Sequence, residues 1–251
     1  RSSDLHGRTE ANAKGILAGR SNHPLDEVGT RDAKALASQL TDVEPDLVVT
    51  SPVTRARQTA AIITEGAGWT CPIRVNDAIA ECDYGAWAGQ SLSSLSSEPE
   101  WHTVVDNPPA AAFPGGETMT DMFLRTAQAA RRIADEVRDG EAVVVSHGDP
   151  LRAIVADLVG LPHRLFQSLV ISPASMTVLV QDGTTWRLQT LNGALTNLWV
   201  QDRARAAISA VTPSETVPSL CASEWAEWLG WDMTRRTFRF ERPDRGVVGT
   251  V

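Results

Sequence analysis

The run Ala142-Val143-Val144-Val145 is apolar at every position and is followed at once by Ser146-His147-Gly148-Asp149-Pro150. A strand without polar alternation has no face to give to water, so it reads as buried on both sides. Beyond Pro150 the period changes, and Leu151, Ile154, Val155 and Leu158 recur at helical spacing before Gly160. Asp149 can cap such a helix and Pro150 can occupy its first turn. A buried strand that passes directly into an amphipathic helix is the repeating unit of α/β architecture.

The same unit recurs upstream. Ala33, Leu36, Ala37 and Leu40 share one helical face, and Leu47-Val48-Val49-Thr50 is a short buried strand that breaks at Ser51-Pro52. A helix through Ala60 and Ile63 leads to a second strand at Ile73-Arg74-Val75. Thr118 with Asp121 resembles a helix cap, after which Phe123, Ala127, Ala130, Ala134 and Val137 keep one apolar face until Gly140 stops the helix. Met176 to Val180 and Thr185 to Leu191, joined across Asp182-Gly183, read as a hairpin at the sheet edge. Strands alternating with helices of this length imply a three-layer α/β/α sandwich with a mainly parallel sheet. Residues 86 to 116 are rich in Ser, Pro, Gly and Trp without a sustained period, the composition of an irregular lid over a site.

A chain of 251 residues can bury one large core with an appendage. The net charge of −8, with no basic stripe to offset it, argues against general nucleic-acid or anionic-membrane binding. No apolar window is long enough to span a bilayer, and Arg1-Ser2-Ser3-Asp4 is not followed by the apolar run of a signal peptide, so a soluble protein is expected. Cys71, Cys82 and Cys221 are widely spaced and form no Cys-x-x-Cys pair, which indicates neither a disulfide framework nor a zinc knuckle and fits a reducing cytoplasm. The first residue is Arg1 rather than methionine, so the recorded start is expected to be processed, truncated or an error. Oligomeric state carries no signal in the sequence.

Residues 201–251 differ in texture from residues 1–200, which read as the principal domain. Arg203 to Ser219 look like a linker or weak helix, and Trp225, Trp228 and Leu229 fall on one helical face before Gly230. A tail helix docked on the domain is the expectation, with a partner-binding helix as the alternative. The segment from Met233 to Val251 is similar to the start of a separate small bacterial family, which suggests a read-through or fusion.

The chemistry-bearing residues gather in a few short stretches. In Leu5-His6-Gly7-Arg8-Thr9-Glu10-Ala11-Asn12 a histidine beside glycine is followed by an arginine, a hydroxyl and an amide, the groups needed to hold a phosphoryl group. Phosphate monoesters hydrolyse very slowly in water, so a catalyst must supply a nucleophile, neutralise charge and protonate the departing oxygen. A neutral imidazole can attack phosphorus without desolvating an anion, and a guanidinium bonds two phosphate oxygens at once.

His6-Gly7-Arg8-Thr9-x-x-Asn12, Pro24-Leu25 with Gly29, Thr50-Ser51-Pro52-Val53-Thr54-Arg55-Ala56-Arg57-Gln58-Thr59-Ala60, Glu81 with Gly85-Ala86-Trp87-Ala88-Gly89, Phe113-Pro114-Gly115-Gly116-Glu117-Thr118 and Ser146-His147-Gly148 together resemble the histidine phosphatase superfamily, the phosphoglycerate-mutase-like proteins. The run Glu81-Cys82-Asp83-Tyr84-Gly85 is similar to that of a bacterial group described as phosphomutases. The resemblance implies a phosphohistidine intermediate on His6, with Glu81 as general acid in a pocket that raises its pKa. It implies that His147 stabilises the transferring phosphoryl, and that Arg55, Asn12, Gly7, Thr9, Arg8 and Gly148 hold the phosphate. Asp83 reads as a loop carboxylate and Glu117 as a helix-cap residue. A small phosphorylated metabolite is the implied partner, with neither metal nor cofactor.

The same resemblance places an apolar strand before His6, which Arg1 to Asp4 do not supply, and an arginine where Leu5 stands. Hydrolysis is favoured because the stretch between Glu81 and His147 lacks room for a large insert. A phosphomutase with the same intermediate, or a catalytically impaired phosphate-binding module, remain the alternatives.

Overall fold

The computed structural model describes residues 6–137 and 139–193 together with two strands, 239–242 and 246–250. The chain divides into a unit spanning Arg1–Ala206 and a second spanning Ala207–Val251. In chain order the first unit contains α1 (Glu10–Ala13), α2 (Glu27–Gln39), β1 (Leu47–Thr50), α3 (Thr54–Ala67), β2 (Ile73–Val75), α4 (Leu92–Leu95), α5 (Trp101–Asp106), α6 (Met119–Glu136), β3 (Ala142–Val145), α7 (Gly148–Val159), β4 (Met176–Asp182) and β5 (Thr185–Gly193).

The three strands β2-β1-β3 form a parallel sheet with β1 at its centre. The side-chain period of two sorts this sheet into two covered faces. Val48, with Val143 and Val145 of β3, packs with Leu36 and Leu40 of the α2 segment and with Ala56, Ala60 and Ile63 of α3. Leu47 and Val49, with Ala142 and Val144, turn the other way onto Ala129, Ala130 and Ile133 of α6 and Leu151, Ile154 and Leu158 of α7. The register Val48↔Val143 and Val49↔Val144 keeps these sets on opposite faces, which is the expected three-layer sandwich. By contrast β2 is exposed along its length and forms the sheet edge.

The expected hairpin β4–β5 is present, closed by Asp182↔Thr185, but it forms a two-stranded antiparallel sheet of its own instead of extending the edge of the parallel sheet. Several local readings are corrected. α6 ends at Glu136 with Val137 at its C-cap, short of Gly140. The N-cap of α7 is His147 rather than Asp149, which lies inside the first turn and engages other side chains. The excursion over residues 86–116 carries short helices, and Trp87, Leu95, Ala111 and Phe113 bury into a cluster with Met119, Phe123 and Phe166, so it is anchored by an aromatic core of its own.

In the second unit β6 (Arg239–Arg242) and β7 (Gly246–Thr250) pair antiparallel, with Arg239 opposite Thr250 and Arg242 opposite Gly246. The expected helix at Trp225 to Leu229, the linker from Arg203 and the strand before His6 fall outside the described residues. Among the described residues no helix is long and apolar enough to cross a membrane.

Candidate active site

The carboxyl ends of β1 and β3 open side by side, because the register that pairs Thr50 with Val145 leaves Ser51 and Ser146 as the next residues of each strand. The backbone stays paired one step further, with Ser51 N–H donating to Val145 O at 2.9 Å. Open α/β sheets place their ligands at this end. From β3 the chain passes through buried Ser146, whose hydroxyl donates to Ile79 O at 2.6 Å, to His147 at the start of α7. From β1 it passes through Ser51 to α3, whose first turn carries Arg55.

His6 arrives from outside the sheet and is placed by close backbone packing. Its carbonyl accepts from Ala174 N–H at 3.2 Å, and Gly7 N–H donates to Thr59 Oγ1 of α3 at 3.0 Å. The segment lies against Gly29 in the first turn of α2. A Cβ on Gly7 would stand 2.5 Å from Gly29 O, and one on Gly29 would stand 2.1 Å from Arg8 O. Only two glycines let these backbones meet, which explains why His6-Gly7 and Leu25-x-x-x-Gly29 go together.

Four side chains converge there: His6, Arg55, Glu81 and His147, each at most 4% exposed. The ring centroids of His6 and His147 are 5.1 Å apart at 65°. Arg55 Nε donates to His6 Nε2 at 2.6 Å, and its terminal nitrogens donate to Gly19 O at 2.8 Å and Ser21 O at 3.3 Å. A guanidinium cannot accept a hydrogen bond, so His6 Nε2 carries the lone pair and Nδ1 carries the proton, which it donates to Gly7 O at 2.6 Å. Glu81 stands opposite, with Oε2 3.9 Å from Arg55 and 4.0 Å from His147 Nδ1. Its Oε1 accepts from Cys82 N–H at 2.9 Å.

His147 Nε2 lies 2.7 Å from Ser51 Oγ, a partner that the sequence reading missed. Ser51 follows β1 as Ser146 follows β3, and that repeated serine after an apolar run was the available signal. Ser51 Oγ also accepts from Val53 N–H at 3.2 Å, tying His147 to the turn that launches α3.

The remaining candidates are held by local contacts. Buried Thr9 is the N-cap of α1, accepting from Asn12 N–H, while Asn12 Oδ1 accepts from Thr9 N–H at 2.9 Å and from its hydroxyl at 2.8 Å. This reciprocal cap fixes which end of the Asn12 amide is the acceptor. Gly148 is the buried first residue of α7. Arg8 is engaged elsewhere, donating from Nε to Asp26 at 2.9 Å with its side chain 41% exposed.

Two neighbouring carboxylates are structural. Asp149 accepts from Tyr84 Oη at 2.7 Å and from Arg152 at 2.9 Å. Burial, with Asp149 beside it, pushes the Tyr84 phenol well above its ordinary range, so Tyr84 stays neutral and donates. Glu117 does not cap α6, a role taken by Thr118; it pairs with Arg125 at 2.6 Å and Arg20 at 3.1 Å. Burial pushes its carboxyl up, but Arg125 and the Asp83 amide outweigh that and hold it below the ordinary carboxylate value. Burial and the nearby carboxylates raise the Cys82 thiol well above its ordinary range, which disfavours the thiolate.

Residues 6–194 match the model of the histidine phosphatase superfamily, branch 1. The chain is 30% identical over 183 residues to a probable phosphoglycerate mutase GpmB of Cronobacter sakazakii, covering 72% of this chain and 84% of that protein. The corresponding protein of Photorhabdus laumondii is 29% identical over the same span. Among solved structures, a mycobacterial glucosyl-3-phosphoglycerate phosphatase in complex with VO3 superposes with a TM-score of 0.69 at 26% identity, covering 77% of this chain and 98% of that one. Bacillus stearothermophilus YhfR superposes with a TM-score of 0.69 at 28% identity, covering 78% of this chain and 96% of that one. The shared sequence, the sandwich and the two facing histidines have one explanation: this chain belongs to the histidine phosphatase superfamily.

Proposed function

We propose that the chain is a phosphomonoester hydrolase working through a phosphohistidine on His6. The observation that carries this reading is the His6 tautomer, because a ring with its proton committed to Gly7 O keeps the Nε2 lone pair for attack on phosphorus. On substrate binding the phosphoryl group enters beside Nε2, and the Arg55 guanidinium transfers its hydrogen bonding to phosphoryl oxygens. His147, at the amino end of α7, supports the charge that develops there, with the helix dipole adding to its effect. Gly7, Thr9, Asn12 and Gly148 frame the same phosphate, and Arg8 lines the entrance.

Attack forms an Nε2–P bond as the P–O bond to the leaving group breaks. Glu81, protonated at the outset, gives its proton to the departing oxygen. Water then attacks phosphorus, the Glu81 carboxylate takes the proton of that water, and the N–P bond breaks to release phosphate and restore neutral His6. Residues 1–200 form the catalytic unit in this reading, 201–251 an appendage, and the substrate is a small phosphorylated metabolite.

A second reading, phosphomutase, is favoured by the names of the GpmB relatives. It shares the first half-reaction and differs in what resolves the intermediate. Hydrolysis is preferred because similar solved structures at 26% identity include a named phosphatase, and because the excursion between α3 and α6 is built from short helices around one aromatic cluster. The test is the fate of a labelled phosphoryl group across a panel of phosphomonoesters. Label released as inorganic phosphate supports hydrolysis, whereas label passed to a second hydroxyl of the substrate makes the protein a mutase.

A further inference from the structure

Glu81 is held through its backbone by two arginines. Arg125, from the middle of α6, donates to Ala78 O at 2.9 Å, Ala80 O at 2.8 Å and Glu81 O at 3.1 Å. Arg20, from the loop after α1, donates to the same Glu81 O at 2.9 Å. Residues 78–83 have no sheet or helix ladder beyond one short 3₁₀ turn, Asp77–Ile79, so these two arginines satisfy carbonyls that regular structure would otherwise take.

The two arginines meet on one anion. Glu117 Oε1 accepts from Arg125 at 2.6 Å and from Arg20 at 3.1 Å, and Oε2 accepts from Arg125 Nε at 2.9 Å. The same Oε1 accepts from Asp83 N–H at 2.8 Å, and the Glu117 N–H donates back to Asp83 O at 3.0 Å. Glu81 is thereby fastened on both sides, at residues 78 to 81 by the arginines and at residue 83 by Glu117. The approach is close enough that a Cβ on Gly116 would stand 2.1 Å from Asp83 O, and one on Gly85 would stand 2.2 Å from Pro114 O. That closeness gives Phe113-Pro114-Gly115-Gly116-Glu117 a physical purpose, packing against the backbone of residues 83–85.

We infer that Glu117, bridging Arg20 and Arg125, is a positioning residue for the Glu81 carboxyl and sets how well it reaches the leaving-group oxygen. Glu117 touches neither His6 nor the phosphate site; it acts by fixing the backbone from which Glu81 projects. The inference rests on Glu81 being the general acid. Misplacement of a catalytic group by about an ångström can cost on the order of 10²-fold in rate. The loss should fall only on substrates whose leaving group needs a proton.

The test compares kcat/KM, which reports steps through transfer to His6, for an aryl phosphate and an alkyl phosphate. 4-Nitrophenolate departs without a proton and an alkoxide does not. In the full chain, Glu117→Gln keeps shape but removes the anion, Arg125→Lys removes the fork, and Arg20→Met removes the outer arginine. The expected result for Glu117→Gln and Arg125→Lys is a loss of roughly 30-fold or more on the alkyl ester with less than about threefold on the aryl ester. Arg20→Met is expected to show the same pattern more weakly, and it guards against a folding defect because Arg20 is partly exposed. Equal losses on both esters, or none, overturn the inference. Glu81→Gln run in parallel separates the two levels. If it discriminates between the esters and Glu117→Gln does not, positioning alone is wrong; if Glu81→Gln does not discriminate, the general-acid reading fails and the inference with it.

Discussion

Arg55 donates to Nε2 of His6 at 2.6 Å, and this one contact couples the proposed phosphate-binding cation to the tautomer of the proposed nucleophile. The same arginine is anchored by the carbonyls of Gly19 and Ser21, and its own carbonyl accepts from Thr59, whose hydroxyl in turn receives the Gly7 amide. The guanidinium and His6 therefore form one hydrogen-bonded unit.

Arg55→Lys retains the charge but removes the fork, so it should lower kcat/KM by roughly 10²–10³-fold, close to the loss for Arg55→Ala. Steady-state kinetics on a phosphomonoester checks this. A lysine variant near wild type would show that only the charge matters.

Gly29→Ala should destabilise the fold by about 1–3 kcal/mol, because its Cβ meets Arg8 O, and should also weaken turnover by displacing His6. Urea denaturation measures the first effect. An unchanged midpoint would mean that the packing of Gly7 against Gly29 is looser than the distances indicate.

Much of this architecture was legible in the sequence, and the legible part has one character. The strands Leu47–Thr50 and Ala142–Val145 and the helices around Ala33, Ala60, Phe123 and Leu151 announce themselves by period, because one side of each must face a core. His6, Arg55, Glu81 and His147 were found from short local motifs. The arginines escaped notice because their role is long-range. Arg125 lies 44 residues from Glu81 and Arg20 lies 61 residues away, and no local pattern distinguishes a cation bound for a backbone carbonyl from one bound for solvent. Glu117 was misread for a related reason: its place before a helix suggests a cap, but the neighbouring Thr118 hydroxyl already accepts from the Asp121 amide.

The depressed Glu117 carboxyl makes a stability prediction with a definite sign. A group whose folded pKa lies below its unfolded one contributes stability above the unfolded value and loses it as pH falls through the folded value. The unfolding free-energy difference between wild type and Glu117→Gln should be constant above the ordinary carboxylate value of 4.5 and shrink below it. Denaturation from pH 7 downward checks this. A difference that grows on acidification would contradict the ion-pair assignment.

Leu5 stands where the superfamily resemblance places an arginine. Leu5→Arg restores an arginine one residue before the proposed nucleophile and should raise kcat/KM by on the order of 10²–10³-fold. A variant that folds normally and gains nothing would show that Arg55 and His147 suffice.

The most direct test of the account is to trap the intermediate. Rapid acid-free quenching after mixing the wild-type chain with a labelled phosphomonoester, followed by peptide mapping, should place one alkali-stable, acid-labile phosphoryl group on His6, with none in His6→Ala. Label on another residue, or full turnover by His6→Ala, would contradict it.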